Sequence, residues 1–333
     1  MFSIAVIGYG YWGEKLTSKW AAIENAQLRH VCDINPVRAQ IAKGIYQWID
    51  TSTDYQELLA DATIQAVNIA TPIETHFEIT RDALNAGKHV LVEKPLSCSG
   101  AEVDALIRIA DDNDLILMAG HTFLFSPPVL KAKEIIEAGE LGKIEAVFMK
   151  RNNLGRHKMT NNVLWDLAPH DLSILDCWLD EQPVAVQTAG VCSTTPGVCD
   201  IAVMTLHYPS GAIANVQLSW KSPLKERYAL VIGSKKMLTY DDNLGVEAIT
   251  LYDTGVEVQP NAPQESAFHY RVGDIHVPHI SQKEPLMSEC VHFMECVEKH
   301  QAPFPHSIHA RRVVHIIEKA QQSLDQAGAR IEL

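Results

Sequence analysis

Short apolar runs alternate with amphipathic stretches along the first third of the chain. The apolar runs, rich in β-branched residues, lie at 3–7, 27–32, 66–70, 89–92 and 115–118. The segments between them place apolar residues at helical spacing. Because strands that alternate with helices in this way are typical of a doubly wound parallel sheet, we expect such an α/β domain over residues 1–122.

The rest of the chain has a different pattern. Strand-like runs joined by short turns predict a mostly antiparallel, open-faced sheet, and they lie at 143–151, 201–208, 212–220 and 228–232. Two amphipathic helices are predicted near 285–299 and 308–324. We therefore expect residues 123–333 to form an α+β domain for substrate binding and oligomerisation. Its C-terminal helix should cover the sheet or pack back on the first domain.

The first predicted strand runs into the motif Gly8-Tyr-Gly10-Tyr-Trp-Gly13, and a helical pattern follows. In this setting Gly8 allows a tight turn, Gly10 lets the backbone approach a pyrophosphate, and Gly13 lets the helix pack on the strand. The phosphates then lie at the helix N-terminus, where Tyr11 and Trp12 also stand. Strand, glycines and helix in this order predict a Rossmann dinucleotide-binding domain.

A carboxylate, Asp33, ends the second predicted strand. At this distance from the glycines it can accept hydrogen bonds from the adenosine ribose hydroxyls. It would also repel a 2′-phosphate, although Arg38 one helical turn later offsets part of that repulsion. We therefore expect NAD as the cofactor and consider NADP less favoured.

The other predicted strands also end in residues suited to ligand binding. In a parallel sheet ligands bind beyond the carboxyl ends of the strands. Those ends carry Thr71-Pro72, Glu93-Lys94 and Gly120-His121. We expect them to converge with the glycine motif and the ribose-binding acid on one crevice, with Lys94 at the nicotinamide ring.

A carboxylate and an imidazole stand four residues apart in the second domain. Asp166 and His170 lie at the start of a helical stretch, with Pro169 expected in its first turn. Residues four apart share a helix face, so the pair can act together, with Asp166 orienting a basic His170. The alternative is that Asp166 caps the helix and His170 is a packed polar residue. No third ligand at supporting spacing suggests a metal.

Composition excludes several classes of protein. With 28 Lys plus Arg against 41 Asp plus Glu, the 333-residue chain carries a formal charge of −13, which argues against nucleic-acid binding. No leader or membrane-length apolar run is evident. The seven cysteines form no C-x-x-C pair, so neither a zinc site nor a disulfide framework is indicated. We expect a cytoplasmic globular protein.

Basic residues cluster locally despite the acidic balance. The stretch 150–158 carries four basic side chains and no acid, and Lys221, Lys225 and Arg227 follow later. These side chains could meet a phosphate-bearing substrate. The alternative is a solvated basic surface, which is what short runs of charged residues usually form.

The whole chain resembles the glucose-fructose oxidoreductase / inositol dehydrogenase (Gfo/Idh/MocA) family. The glycine motif, Thr71-Pro72 with His76, the segment 86–95 ending in Glu93-Lys94-Pro95, and the Asp166/His170 pair carry the resemblance. It implies that Lys94 lies beside the nicotinamide and the substrate hydroxyls. It also implies that His170 takes the hydroxyl proton as a hydride leaves for the cofactor, with Asp166 orienting it.

The resemblance also implies a set of ligand-binding residues. For the cofactor these are Gly8, Gly10, Tyr11, Trp12, Gly13, Asp33, Thr71, Pro72, His76, Glu93 and Lys94. A helix-surface role is an equally good interpretation of His76. For the substrate the resemblance implies Lys94, Asp166 and His170. The basic segments add Arg151, Asn153, Arg156 and Arg227, whose arginines would meet the phosphates of a nucleotide-linked sugar.

The motif around the histidine departs from the family pattern. Many relatives have glycine where Pro169 stands and aspartate where Ser173 stands, so the departure falls on the substrate side of the site. The surrounding sequence resembles members associated with nucleotide-sugar and surface-polysaccharide pathways.

The sequence favours an NAD-dependent dehydrogenase or ketoreductase that acts on a ring hydroxyl of a sugar. The expected substrate class is nucleotide-linked sugars. Three alternatives stay open: a free sugar or cyclitol dehydrogenase, an NAD-dependent glycosidase, and a non-catalytic dinucleotide-binding protein. The resemblance further implies a homodimer or homotetramer.

Overall fold

We describe a computed structural model of the protein, which covers residues 1–155, 157, 161–258 and 267–333. Arg156 lies outside the described residues. The chain divides into two compact units. Unit 1 comprises Met1–Phe125 and Glu284–His315, and unit 2 comprises Ser126–Lys283 and Ile316–Leu333.

Unit 1 is built on a six-stranded sheet in which every pair of neighbouring strands is parallel, in the order β3-β2-β1-β4-β5-β6. The prediction of a doubly wound parallel sheet is confirmed. The strands are β1 (Phe2–Ile7), β2 (Ala26–Cys32), β3 (Asp50–Ser52), β4 (Ala66–Ile69), β5 (His89–Glu93) and β6 (Leu117–Gly120).

Helices connect these strands. They are α1 (Tyr11–Ala22), α2 (Pro36–Ile45), α3 (Tyr55–Leu59), α4 (His76–Asn85) and α5 (Gly100–Asp112). The start of α2 shows why they form where they do. The Asn35 side chain accepts a hydrogen bond from the Val37 backbone N–H, and Pro36 occupies the first turn, where its missing N–H costs nothing.

The late helix α8 (Pro285–Lys299) belongs to unit 1 although it follows unit 2 in the chain. Its Phe293 packs against Phe2 and Trp20, with ring centroids 6.2 and 6.3 Å apart. The Trp20 indole N–H donates to the Asn68 side chain at 2.8 Å. Aromatic burial on both sides therefore attaches α8 to the core around β1 and β4.

Unit 2 contains a nine-stranded sheet in the order β14-β13-β12-β11-β7-β10-β9-β8-β15. Only the β7 and β10 pair is parallel among the paired strands described, so the predicted mostly antiparallel sheet is confirmed. Its strands are β7 (Ile144–Leu154), β8 (Ala185–Val191), β9 (Ile201–His207), β10 (Ile213–Ser219), β11 (Lys221–Gly233), β12 (Met237–Asp241), β13 (Ile249–Val258), β14 (Phe268–His276) and β15 (Ile331–Glu332).

The helices α6 (Pro127–Glu137) and α7 (Val163–Trp178) lie in unit 2, and α9 spans Ser307–Asp325. The N-cap of α7 is Asn162, whose side chain accepts from the Leu164 and Trp165 N–H groups at 3.0 and 3.4 Å. Asp166 therefore stands in the first turn and is not the cap. The expectation that Pro169 lies in the first turn is wrong, because the asparagine starts the helix earlier and leaves the proline inside it.

A buried ion pair attaches α7 to the sheet of unit 2. The Arg151 guanidinium on β7 donates three hydrogen bonds of 2.8 to 3.0 Å to the Asp171 carboxylate on α7. The two side chains are only 5% and 2% exposed. A planar guanidinium that meets a carboxylate through two nitrogens holds it in one orientation, so this pair orients the helix that carries Asp166 and His170.

No helix in the described part of the chain is long and apolar enough to cross a membrane.

We expect Asp171→Asn to lower the free energy of unfolding by about 3–5 kcal/mol, because it leaves the buried Arg151 charge without its carboxylate. The double variant R151M/D171L should recover most of that loss, since it removes both charges. Urea unfolding measures both variants. An Asp171→Asn protein as stable as wild type would show that the pair does not hold α7.

Candidate functional site

The carboxyl edge of the unit 1 sheet gathers the residues that the sequence singled out. Gly8 follows β1 and Asp33 follows β2, while Thr71 stands just beyond β4. Glu93 ends β5 and Lys94 comes directly after it. Since the strands are parallel, these ends share one edge of the sheet, where ligands of such folds bind.

The turn between β1 and α1 leaves no room for side chains at two of its glycines. Gly8 has φ +95°, and a Cβ there would lie 2.6 Å from the Ala70 carbonyl oxygen. A Cβ at Gly13 would lie 1.9 Å from the Gly8 carbonyl oxygen. A Cβ at Gly10, in contrast, would have one described neighbour within 4 Å, the Arg38 guanidinium at 3.8 Å.

The Gly10 position therefore presents open backbone directly before the helix. Gly10 is the N-cap residue of α1, and Tyr11 and Trp12 open the helix with exposed rings. A helix N-terminus next to a side-chain-free turn fits a pyrophosphate through backbone N–H groups and the helix dipole. The residues present thus fit a dinucleotide.

Two backbone N–H groups hold the Asp33 carboxylate in place. Tyr9 donates to one carboxylate oxygen at 2.7 Å, and Asn35 donates to the other at 2.8 Å. Arg38 stands 3.8 Å from the same carboxylate. The acid is buried and oriented by its neighbours, so its carboxylate is held in one position at the end of β2.

His76 is a buried residue and lies between two backbone carbonyls. One ring nitrogen is 2.9 Å from the Thr71 oxygen, and the other is 2.9 Å from the Pro95 oxygen. Burial lowers the pKa of this histidine, against the raising effect of the two carbonyls. The helix-surface interpretation of His76 is therefore wrong. The ring connects the loop after β4 with the segment that carries Lys94.

Two buried glutamates act on each other, namely Glu93 directly before Lys94 and Glu289 on α8. Burial raises the pKa of Glu93 to about 7, and the Lys94 charge lowers it in part. Glu289 on α8 is fully buried and accepts from the Thr122 hydroxyl at 3.0 Å. Burial and then the Glu93 charge raise the pKa of Glu289 well above its ordinary value. Burial therefore favours the protonated form of Glu289 over the charged one.

Unit 2 places the other candidate side chains on α7. Asp166 and His170 are both partly buried and lie four residues apart on this helix. The buried Trp220 indole N–H donates to the Asp166 carboxylate at 3.0 Å. Sequence analysis missed this role of Trp220, because only the tertiary fold brings residue 220 to the first turn of α7.

The predicted basic residues have different surroundings. Arg151 is held in the buried ion pair with Asp171, which leaves it little surface for a phosphate. Arg227 is about one-third exposed and contacts Asp242 at 2.8 Å. Asn153 on β7 is partly buried.

In the described part of the chain, no three His, Cys, Asp or Glu side chains come together as a metal site.

Comparison with known proteins identifies both parts of the chain. Residues 2–121 match the family model for an oxidoreductase family with an NAD-binding Rossmann fold, and residues 129–239 match the model for the GFO/IDH/MocA C-terminal domain. These matches and the parallel sheet with its glycine turn define the class as an NAD-binding oxidoreductase.

The chain belongs to the Gfo/Idh/MocA family. It is 29% identical over 317 residues to the UDP-N-acetylglucosamine 3-dehydrogenase of Acidithiobacillus ferrooxidans, and the match covers 93% of each chain. A solved structure of that enzyme has a TM-score of 0.82 at 25% identity and covers 98% of each chain. The scyllo-inositol 2-dehydrogenase (NAD(+)) of Bacillus subtilis is 28% identical over 92% of this chain and 89% of its own.

Gly13→Ala should abolish NAD binding, because its new methyl group meets the Gly8 carbonyl and forces α1 away from β1. Gly44→Ala is the matched control, since no described residue lies within 4 Å of a Cβ at that helical position. We expect the control to gain about 0.5–1 kcal/mol of stability and to bind NAD as wild type does. Calorimetric titration with NAD compares them. Normal NAD affinity in Gly13→Ala would refute the proposed role of the turn.

Glu289 should make the protein less stable as pH rises. Its carboxyl keeps a proton in the folded state but ionises near its ordinary pKa when unfolded, so stability is full below about 4.5 and falls above that pH. Each pKa unit is worth about 1.4 kcal/mol. Glu289→Gln should therefore flatten the decline of Tm between pH 5 and 8.

Glu298→Gln, at an exposed position of the same helix, is the control and should decline as wild type does. Differential scanning fluorimetry at several pH values measures the Tm of both variants and of wild type. Equal Tm slopes for wild type and Glu289→Gln would show that Glu289 does not hold a proton in the fold.

Proposed function

We propose that the protein is an NAD-dependent dehydrogenase or ketoreductase that moves a hydride between a sugar ring carbinol and the nicotinamide. The observation that carries this proposal is Lys94 at the carboxyl end of β5, in a segment that His76 holds by the Pro95 carbonyl. When bound, NAD supplies the hydride acceptor. The chain's own residues then have to bind the substrate and move one proton.

His170 is proposed as the base that accepts the hydroxyl proton. Asp166 lies one helical turn before it and orients the ring, while Trp220 holds Asp166 by its indole N–H. Lys94 donates a hydrogen bond to the substrate hydroxyl oxygen and positions it. The partial burial of Asp166 and His170 supports these roles, since a base that is screened from water keeps its interaction with the carboxylate strong.

NAD is proposed in preference to NADP. Support comes from Asp33, whose carboxylate is fixed by the Tyr9 and Asn35 backbone N–H groups and cannot swing away from a 2′-phosphate without losing both hydrogen bonds. The nearby Arg38 is already paired with this acid.

A nucleotide-linked sugar is the proposed substrate class. The similarity to the UDP-N-acetylglucosamine 3-dehydrogenase over 93% of each chain supports it. Exposed Lys221 and Lys225 and the partly exposed Arg227 on β11 supply positive charge for a diphosphate. Arg151 is left out of this role because of its buried ion pair. The similarity to an inositol dehydrogenase supports a free cyclitol as the second candidate.

We also propose a homo-oligomer. Exposed apolar side chains on β13 and β14 support it, namely Val256, Val258, Phe268, Tyr270 and Val272. Sedimentation at a mass above the 36.9 kDa of one chain would agree with it, whereas a monomer at all concentrations would refute it.

The test is NADH formation with nucleotide-linked sugars, free sugars and cyclitols. We expect turnover with a nucleotide-linked sugar. Lys94→Ala should lower kcat by about 10²–10⁴-fold while NAD affinity stays nearly unchanged. Lys131→Ala, at a partly exposed lysine on α6 that pairs with Glu134, is the control and should turn over normally.

Other outcomes separate the alternatives. Undiminished turnover by Lys94→Ala would overturn the mechanism, and activity on inositol alone would select the cyclitol. Release of an aglycone without net NADH would identify a glycosidase. NAD binding without any turnover would favour a non-catalytic protein.

A further inference from the structure

The segment between β8 and β9 folds back on itself and carries two cysteines. Val191 at the end of β8 pairs with Ile201 at the start of β9. Asp200 donates its backbone N–H to the Val191 oxygen at 3.0 Å, and further out Thr195 bridges to Val198. Cys192 and Cys199 therefore stand on opposite arms of one hairpin, near its base.

The two thiols are close neighbours. A Cβ at Gly190, two residues before Cys192 on the same arm, would be 3.4 Å from the Cys199 sulfur. The Cys199 side chain therefore reaches the arm that carries Cys192, and the two thiols are hydrogen-bonded to each other. The pKa of Cys199 is raised to about 12 by burial and by the neighbouring Cys192 thiol.

Exposure differs between the two thiols. All seven cysteines are free, and only Cys98 and Cys192 are exposed. Cys192 thus combines access to solvent with a second thiol beside it. Cys98 is exposed, but no second cysteine lies near it in sequence, which makes it the natural comparison.

We propose that Cys192 and Cys199 form an oxidation site, at which hydrogen peroxide joins the two sulfurs in a disulfide. The Cys192 thiolate attacks the peroxide O–O bond and becomes a sulfenic acid, while the leaving hydroxide takes a proton to give water. Cys199 then attacks the Cys192 sulfur, loses its proton and displaces a second water. The protein loses two hydrogens, and peroxide is reduced to two waters.

The position of the hairpin connects this site to α7. The Cys199 carbonyl accepts from the backbone N–H of Val163, the first residue of α7, at 2.9 Å. The Asp200 carbonyl accepts from the Trp220 backbone N–H at 2.9 Å. Trp220 in turn holds Asp166. A disulfide at Cys199 should therefore disturb both the backbone hydrogen bond to Val163 and the position of Trp220, which together hold the first turn of α7. We expect this disturbance to lower kcat, a consequence that rests on the proposed function.

Thiol counting on the full chain tests the site itself. Protein treated with hydrogen peroxide is denatured, alkylated and analysed by intact mass. We expect wild type and Cys98→Ser to lose two alkylatable thiols and to recover them with dithiothreitol. Neither Cys192→Ser nor Cys199→Ser should form the disulfide. In Cys199→Ser, the oxidised Cys192 should remain a sulfenic acid that dimedone traps. Wild type that keeps all seven thiols, or a Cys192→Ser protein that loses the same pair, would overturn the proposal.

Activity is read separately on the same samples. Oxidised wild type should form NADH more slowly and recover with dithiothreitol, whereas Cys192→Ser should be insensitive to peroxide. An unchanged rate after disulfide formation would overturn the connection to α7. If no sugar supports NADH formation at all, the proposed function fails, and the thiol count still decides the oxidation site.

Discussion

The absence of two side chains at the β1–α1 turn is the constraint on which unit 1 depends. With no Cβ at Gly8 or Gly13, the start of α1 lies against the turn at a distance that no other residue allows. The same helix carries Trp20 into the core, where it contacts Asn68 and Phe293. The close approach therefore determines both the anion-binding helix end and the packing that attaches α8.

In unit 2, polar contacts fix the position of α7. Its candidate base and orienting acid stand on α7, a helix that Asn162 caps and that the Arg151–Asp171 pair attaches to β7. Trp220 then fixes the Asp166 carboxylate from another segment. Buried charges and indole N–H groups tolerate few alternative partners, so these contacts select one orientation of the helix. Side chains supported in this way have little conformational freedom left to lose when a ligand binds.

Local patterns were sufficient for several predictions. The parallel sheet follows from alternating apolar runs, and the predicted α8 at 285–299 agrees with the observed helix because its apolar spacing is regular. One local signal was missed, because Asn162 directly before α7 caps the helix and leaves Pro169 in the helix interior. Local patterns failed where a distant partner decides. Glu289 carried no local signal, since burial beside Glu93 gives it its unusual pKa.

The sequence by itself determined the fold class, the glycine turn, the acid after β2 and the lysine after β5, because each depends on neighbours within a few residues and on the geometry of strand ends. Only the tertiary structure decided that Arg151 is an ion-pair partner, that His76 joins two loops, and that Trp220 holds Asp166. Burial and hydrogen bonding between distant segments set these roles, and no local pattern of residues encodes a partner far along the chain.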